Sequence, residues 1–455
     1  MATKTSTITL IGAGLNGPLL AIGLIRRGFK VEIFERRPDM RTARISAGRS
    51  INLALSTRGI HALSQVGLWE EMKKIIVPMK GRMIHSLKSE LTFQPYGKDE
   101  AEVINSISRA DLNIALMNAA EADGATIYFQ QRCTGINLKT GALNLHDEQT
   151  GNSGTHDTSV VIGCDGSASA IRHEMLNLSR FDFSQQHLDY GYKELTIPAQ
   201  ATGTYAMETN ALHIWPRGNH MLIALPNVDG TFACILFLPF DGADSFARLG
   251  DPEAVREFFQ SRFPDAVPLM PNLTENFVAN PVGSMVTVKC SPWCVGGRTL
   301  LLGDAAHAIV PFFGQGINCG FEDCTCLLDL VDKHGNDWAR IFSEFERMRK
   351  INTDAIADLA VDNFIEMRDR VADARFLFRK KIELALEGRY PNLFVPKYAM
   401  VTFHRIPYSV ALQRGQIQER MLNELCDSID RVEDLDWSNA DRLIRSQLAP
   451  LELPA

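Results

Sequence analysis

No run of 18 apolar residues occurs in this chain, so no membrane-spanning helix is expected. Basic charge is in deficit: 47 Lys and Arg stand against 54 Asp and Glu, for a net charge of −7. That balance excludes nucleic-acid binding by bulk electrostatics, though it leaves room for a local basic pocket. The nine cysteines are odd in number and scattered, Cys324 and Cys326 are the close pair, and no four-ligand metal spacing occurs. Neither a disulfide framework nor a metal site fits this pattern; reduced, buried thiols in a cytoplasmic protein do. The six residues ahead of the first core strand leave no room for a signal peptide. No internal repeat is visible. What the chain does have is a core, with 45% hydrophobic residues in 455. That length predicts two or three domains, or one large α/β body with an insertion.

The most informative stretch is the first forty residues. Thr7 to Ile11 reads as a short buried strand that runs into Gly12-Ala13-Gly14-Leu15-Asn16-Gly17. An apolar helix pattern follows, Gly28 ends it, and Lys30 to Phe34 reads as a second strand that stops at Glu35. This is a βαβ unit with a dinucleotide fingerprint. Gly12 allows the tight turn, Gly14 a close approach by pyrophosphate, and Gly17 close packing of helix on strand. The helix N-terminus offers free N–H groups to phosphate, with Leu15 and Asn16 in the same loop. Glu35 lies 18 residues beyond Gly17, where an acid takes ribose hydroxyls, and Arg37 follows it. A negative charge there argues against the extra phosphate of NADP at this site. It does not separate NAD from the ADP half of FAD.

Further along, Met79 to His85 and Leu91 to Gly97 read as a hairpin that leaves the βαβ body. Ser108 is a candidate N-cap, with Asp111 three residues on, for a helix that ends at Gly124. Ser159 to Gly166 is a buried strand ending in Asp165, and Thr299 to His307 is another ending at Gly303-Asp304. From Asp189 to about Val288, close-spaced strand runs predict an antiparallel sheet. Pro311 to Asn318 reads as a loop, with a helix from Cys319. Beyond Asp337 the apolar spacing is helical, with a long helix over 339–369 and others over 371–386 and 413–429.

The glycine triplet with Glu35, the Cys164-Asp165-Gly166 segment and Gly303-Asp304 together resemble the single-component FAD-dependent aromatic hydroxylases, the class A flavoprotein monooxygenases. Gly48 to Ser56, Pro311 to Asn318, Tyr96-Gly97 and Asn363 to Asp369 resemble the branch of that family that acts on L-kynurenine. The resemblance covers nearly the whole chain to about residue 400. It implies an α/β fold: a Rossmann-type FAD-binding domain (1–75, 100–180 and 290–335), an inserted antiparallel-sheet substrate domain (76–99 and 181–289) and a helical C-terminal region (336–455). It also implies tightly bound FAD, NADPH as co-substrate, and O2. Hydroxylation at ring position three of L-kynurenine would proceed through a flavin C4a-hydroperoxide, with no acid–base triad in the protein. Eukaryotic members carry a C-terminal membrane anchor that this sequence lacks, so the likeness is to a soluble bacterial form. A homodimer is compatible with the resemblance.

The same resemblance assigns site residues. Gly12, Gly14, Leu15, Asn16, Gly17, Glu35 and Arg37 hold the adenosine diphosphate half of FAD. Arg109 reaches the phosphate or ribitol, Asp304 bonds the ribitol, and Asp165 helps position the flavin. Gly316, Ile317 and Asn318 turn N–H groups to the pyrimidine edge of the ring. Arg82 and Tyr96 take the substrate carboxylate, which suits a guanidinium fork and a phenol. Asn363 and Tyr398 close the other side, and Met367 lines the aromatic pocket. Phe313 either lies over the flavin or is a packed aromatic. His307 reads as structural rather than as a base. The rival readings are a related hydroxylase for another aromatic acid and a non-catalytic flavin-binding protein.

Overall fold

The computed structural model describes residues 7–42, 52–366, 374–427 and 429–452. The chain forms two compact units. One is built from Met1–Ile76, Ile107–Leu188 and Ser284–Ala357, the other from Val77–Ser106, Asp189–Gly283 and Asp358–Ala455. The C-terminal stretch, expected as a region of its own, divides between them: 336–357 groups with the first unit and 358–455 with the second.

The first unit is organised on a six-stranded sheet. Its order is Cys294–Val295, Thr299–Leu301, Val160–Gly163, Thr7–Ile11, Lys30–Phe34 and Thr126–Tyr128. All neighbours are parallel except the Cys294–Val295 edge. Strands of a parallel sheet are covered on both faces, which is why they read as continuous apolar runs. Ile8, Leu10, Ile33, Ile162, Leu300 and Leu301 are all fully or almost fully buried. Each such side chain contributes about 1.5–3 kcal/mol over an exposed one. Helix Asn16–Ile25 packs against helices Arg109–Asp123 and Gly316–His334. The Arg109–Asp123 helix starts where Ser108 Oγ accepts the Asp111 N–H at 3.3 Å, and it stops at Gly124 with φ 111°.

The second unit holds a sheet in which six strands run Asp182–Ile197, Phe232–Pro239, Met221–Pro226, Ala211–Pro216, Gly81–His85 and Leu91–Pro95. Ala211–Pro216 and Gly81–His85 pair in parallel; the other pairs in this run are antiparallel. Helices Pro252–Arg262 and Leu273–Ala279 share a core with this sheet through Leu195, Trp215, Phe232, Phe259 and Phe277. A separate cluster joins helices Ala374–Arg389, Tyr408–Cys426 and Trp437–Gln447 through Ile382, Leu386, Met421, Leu422 and Ile444. Among the described residues no helix is long and apolar enough to cross a membrane.

The helices expected over 371–386 and 413–429 lie at Ala374–Arg389 and Tyr408–Cys426, and two further differences bear on the architecture. The helix expected from Cys319 begins at Gly316, so Gly316, Ile317 and Asn318 form its first turn rather than a loop. Helix Trp437–Gln447 lies beyond the last helix expected from the apolar spacing. It is capped by Asp436, whose carboxylate accepts the N–H groups of Ser438 and Asn439.

Candidate functional site

The glycine loop follows from crowding. A Cβ on Gly17 would lie 2.1 Å from the Gly12 carbonyl oxygen, and one on Gly12 would lie 2.6 Å from that of Cys164. Gly12 also has φ 101°, which a side chain resists. Gly14 is different: nothing stands within 4 Å of a Cβ there. Its lack of a side chain therefore keeps a space open rather than relieving a clash. Helix Asn16–Ile25 has no side-chain cap at its start, so its first N–H groups remain available to an anion. Asn113, which the sequence reading missed, secures the loop by donating to the Ala13 and Gly14 carbonyls at 3.0 and 3.1 Å. Its signal was an amide on the apolar face of a helix, beside Leu112, Leu116 and Met117.

Glu35 is buried at the end of the second strand. Oε2 accepts the Ala13 N–H at 2.8 Å, and Oε1 accepts N–H and Nε–H of Arg37 at 2.9 and 2.8 Å. Burial works against its charge, but these bonds and the Arg37 charge hold the carboxyl below its ordinary range. Most of the carboxylate is thus already committed to shaping the loop, with Arg37 half-exposed beside it.

Asp304 departs from the expectation of a buried strand-end acid. It opens the short helix Asp304–His307 and is exposed to solvent. Enough protein surrounds it that desolvation raises its carboxyl above the usual range, against the pull of Arg109 and His307. An accessible but crowded acid marks a concave wall. Arg109, at the start of its helix, is likewise exposed. Asp165 Oδ2 accepts the Ala170 N–H at 2.8 Å at the start of the helix that Ser169 caps, while Oδ1 is buried without a partner. Burial raises its carboxyl as well.

Gly316, Ile317 and Asn318 play unequal parts. A Cβ on Gly316 would meet nothing within 4 Å, so the first turn of a 19-residue helix faces open space there. Asn318 is fully buried and engaged within the protein. Its Oδ1 accepts from Ser56 N and Gly59 N at 2.8 and 3.3 Å, and its Nδ2 donates to the Ala54 and Gly314 carbonyls at 2.8 Å. Its side chain fixes the segment; the backbone is what remains to face a ligand. Phe313 is buried in the turn Pro311–Phe313, which Gly314 closes with φ 65°.

Beneath this wall lies an ionic network that the sequence did not reveal. Asp323 accepts from Arg349 Nε at 2.7 Å, from the Gly303 N–H at 3.1 Å and from His307 Nε2 at 2.5 Å. Glu322 takes Arg349 Nη1 at 2.6 Å and Arg58 Nε at 2.9 Å. Burial alone would lower His307, but Asp323 holds its imidazole well above the ordinary value. His307 is therefore committed to an ion pair in the interior. Among the described residues His307, Cys319 and Asp323 bring ligand atoms within 4.8 Å of one another. The Arg349 charge already occupies the place a cation would take.

The second unit carries a different constellation. Arg82 pairs with Gln94 across the hairpin, and Tyr96 stands two residues beyond Gln94, so strand alternation brings Arg82 and Tyr96 to one face. The Arg82 guanidinium carbon lies 5.5 Å from the Tyr96 ring centre and 5.1 Å from that of Tyr398, and the two rings stack at 5.8 Å. Arg82 Nε is shut off from solvent and has no hydrogen-bond partner. Burial drives both phenols above their usual range, so they remain neutral O–H groups. Burial also opposes the Arg82 charge, while Tyr398, Tyr96 and Glu366 sustain it. Asn363 is buried near the end of helix Trp338–Ile365, three residues before Glu366. Glu366 itself was not anticipated. Met367 lies outside the described residues.

A glycine loop before an uncapped helix, in a unit completed by neighbouring strand ends, is the architecture of a dinucleotide-binding protein, and the family match and relatives place it among the flavoprotein aromatic hydroxylases. The family model described as FAD binding domain matches residues 4–340. A kynurenine 3-monooxygenase of Myxococcus xanthus is 54% identical over 98% of this chain and 96% of that protein. Proteins of the same name from Flavobacterium psychrophilum and Dictyostelium discoideum are 45% and 44% identical over 96% and 97% of the chain, and 97% and 98% of their own lengths. Among solved structures, 2-methyl-3-hydroxypyridine-5-carboxylic acid oxygenase shares the fold, with a TM-score of 0.66 at 20% identity over 83% of this chain and 96% of that one. The chain belongs to the kynurenine 3-monooxygenase family.

Proposed function

We propose that this chain hydroxylates L-kynurenine at ring position three, consuming NADPH and O2 and releasing 3-hydroxykynurenine, NADP and water. The observation that carries the substrate side is Arg82: a guanidinium with a sequestered, unpartnered N–H between two neutral phenols. Leaving such a donor unpaired costs about 1–3 kcal/mol, and a ligand carboxylate removes that cost. Arg82 then forms the charged bond, Tyr96 and Tyr398 donate O–H, and Asn363 and Met367 complete the substrate set.

The first unit fits FAD on its own features: the space kept at Gly14 and Gly316, the uncapped helix start and the unpartnered Oδ1 of Asp165. Gly12 to Gly17 would hold the pyrophosphate, Glu35 and Arg37 the adenosine end, Arg109 and Asp304 the ribitol. The backbone of Gly316 to Asn318 would face the flavin ring, with Phe313 beside it. Bound FAD supplies the redox chemistry, accepting hydride from NADPH and activating O2. The protein's contribution is to orient the amino acid by its carboxylate, to present N–H dipoles where negative charge develops, and to exclude water. Nine free cysteines fit a reducing, cytoplasmic setting.

The test is anaerobic stopped-flow reduction of the purified yellow protein by NADPH, with and without L-kynurenine. Kynurenine should accelerate reduction, and product should form in step with NADPH consumed once O2 is admitted. Equal rates with and without kynurenine overturn the assignment. Acceleration by another aromatic acid alone points to a related hydroxylase, and bound flavin with no turnover to a binding protein.

A further inference from the structure

A chain of three titratable side chains runs through the second unit beneath the Arg82 hairpin. His85 Nδ1 lies 2.6 Å from Asp265 Oδ2, His85 Nε2 lies 2.9 Å from His213 Nδ1, and His213 Nε2 lies 2.8 Å from the Glu208 carbonyl oxygen. Both imidazoles are buried, and His85 stacks on Trp215 with ring centres 3.9 Å apart. The two ends of this chain are acceptors. Three contacts therefore need three hydrogens, and two neutral imidazoles supply two. The third resides on Asp265 or on a ring. Asp265 Oδ2 also accepts the Trp215 Nε1–H at 2.8 Å, which favours the carboxylate. The Glu208 carbonyl takes the Nε2–H of His213, so its Nδ1 must accept. Both ring hydrogens then belong to His85.

We propose that His85 is held as an imidazolium between the Asp265 carboxylate and neutral His213, and that this charged link positions the strand that carries Arg82. The remaining charged groups facing the chain are the Glu208 side chain, Arg217 and, behind Arg217, Arg262. Arg217 donates to the carbonyl of His85 at 2.9 Å, so the end of the same strand is held twice. Burial drives His213 down to about 4, in keeping with a ring that stays neutral and accepts.

The position of the link gives it its purpose. Gly81–His85 joins the sheet through a parallel pairing with Ala211–Pro216, in the register His213 to Met83. Parallel pairing is slightly weaker per residue than antiparallel. His85 is two residues from Met83, so the two histidines meet on one face across this junction, while Arg82 occupies the other. On its other side strand Gly81–His85 pairs with Leu91–Pro95, which forms the edge of the sheet among the described residues. His85 is thus a positioning residue: losing its extra proton leaves two bare acceptors facing each other at one contact and loosens the strand under Arg82.

The functional arm of this inference rests on the kynurenine reading; the structural arm does not. The test is nitrogen NMR of the deuterated full-length holoprotein labelled with 15N-histidine. One ring with hydrogens on both nitrogens should appear, coupled across an N–H···N bond to a second ring, which identifies the pair without a variant. A single hydrogen on each ring overturns the proposal and moves the proton to Asp265. Asp265→Asn, which removes the counter-charge, should reduce His85 to one N–H. In kinetics, KM for L-kynurenine should rise roughly three- to tenfold as pH is raised and the third hydrogen leaves the chain, with kcat changing less. That pH step should vanish in Asp265→Asn and His85→Gln. An unchanged step in either folded variant refutes the positioning role. Absence of any kynurenine turnover would sink the kynurenine reading while leaving the NMR result to decide the imidazolium.

Discussion

Replacing Arg349 with Met tests what holds the wall of the first unit that carries Asp304 and Gly316. Arg349 is 3% exposed and donates to Asp323 at 2.7 Å and Glu322 at 2.6 Å. Met keeps much of the volume but removes the charge. Glu322 keeps Arg58, and Asp323 keeps His307 and the Gly303 N–H, yet the pair now shares less positive charge in a site closed to water. Removing one partner from a buried ion pair costs about 3–5 kcal/mol, because the other charge stays desolvated. For a domain of 150–250 residues that corresponds to a Tm lower by about 6–20 °C. Since Asp323 also accepts the Gly303 N–H, the loss should reach Asp304 and weaken FAD retention. The assay is thermal unfolding followed by both circular dichroism and released-flavin fluorescence. Arg349→Lys should fall between, restoring a charge without the fork. Adding Glu322→Gln to Arg349→Met should give a loss that departs from the sum of the two single losses, as expected for groups in one network. A loss under about 1 kcal/mol for Arg349→Met, with FAD retained, would refute the reasoning.

Gly14→Ala should leave the fold intact and lower FAD affinity, since a Cβ there meets only open space, whereas Gly17→Ala should disrupt the loop itself through the clash with Gly12; flavin titration and unfolding curves separate the two. Arg82→Met should weaken equilibrium binding of L-kynurenine by roughly thirtyfold or more, the value of a charge-assisted bond, without releasing FAD. Asn318→Ala strands the buried N–H groups of Ser56 and Gly59 and the carbonyls of Ala54 and Gly314, and should cost about 2–4 kcal/mol in denaturant unfolding. Glu35 has a depressed carboxyl in the folded state. The stability it adds is present above its ordinary value of 4.5 and disappears as pH falls through the folded value, so Glu35→Gln should flatten the acid limb of the stability profile.

Much of this molecule was legible locally. The strand–loop–helix over Thr7–Ile25 could be read because its glycines, apolar run and terminal acid fall within one short stretch. The helix Arg109–Asp123 carried its own cap and its own glycine stop. The hairpin that brings Arg82 and Tyr96 to one face follows from alternation alone. What escaped reading depends on pairings distant in sequence. Arg349 meets Asp323 across 26 residues and His85 meets His213 across 128, and no period marks either. The parallel seam between Gly81–His85 and Ala211–Pro216 is likewise a product of topology. The early start at Gly316 was hidden because Gly-Gln-Gly reads as a turn, while tertiary support from Asn318 makes it helix. Tyr398 meets Arg82 from far along the chain, and no local pattern announced that contact.

The first unit is assembled from three separated stretches of chain, and that order has a consequence for synthesis. The glycine loop leaves the ribosome early, but Gly303, Asp304 and the helix from Gly316 follow roughly 290 residues later. At about 5–20 residues per second, the loop waits on the order of 15–60 s for the rest of its cradle. Through that interval the nascent chain has a phosphate-shaped turn and nothing to close over a flavin. Cofactor loading should therefore follow synthesis of the third stretch, and a truncated chain lacking the segment from Ser284 should emerge colourless.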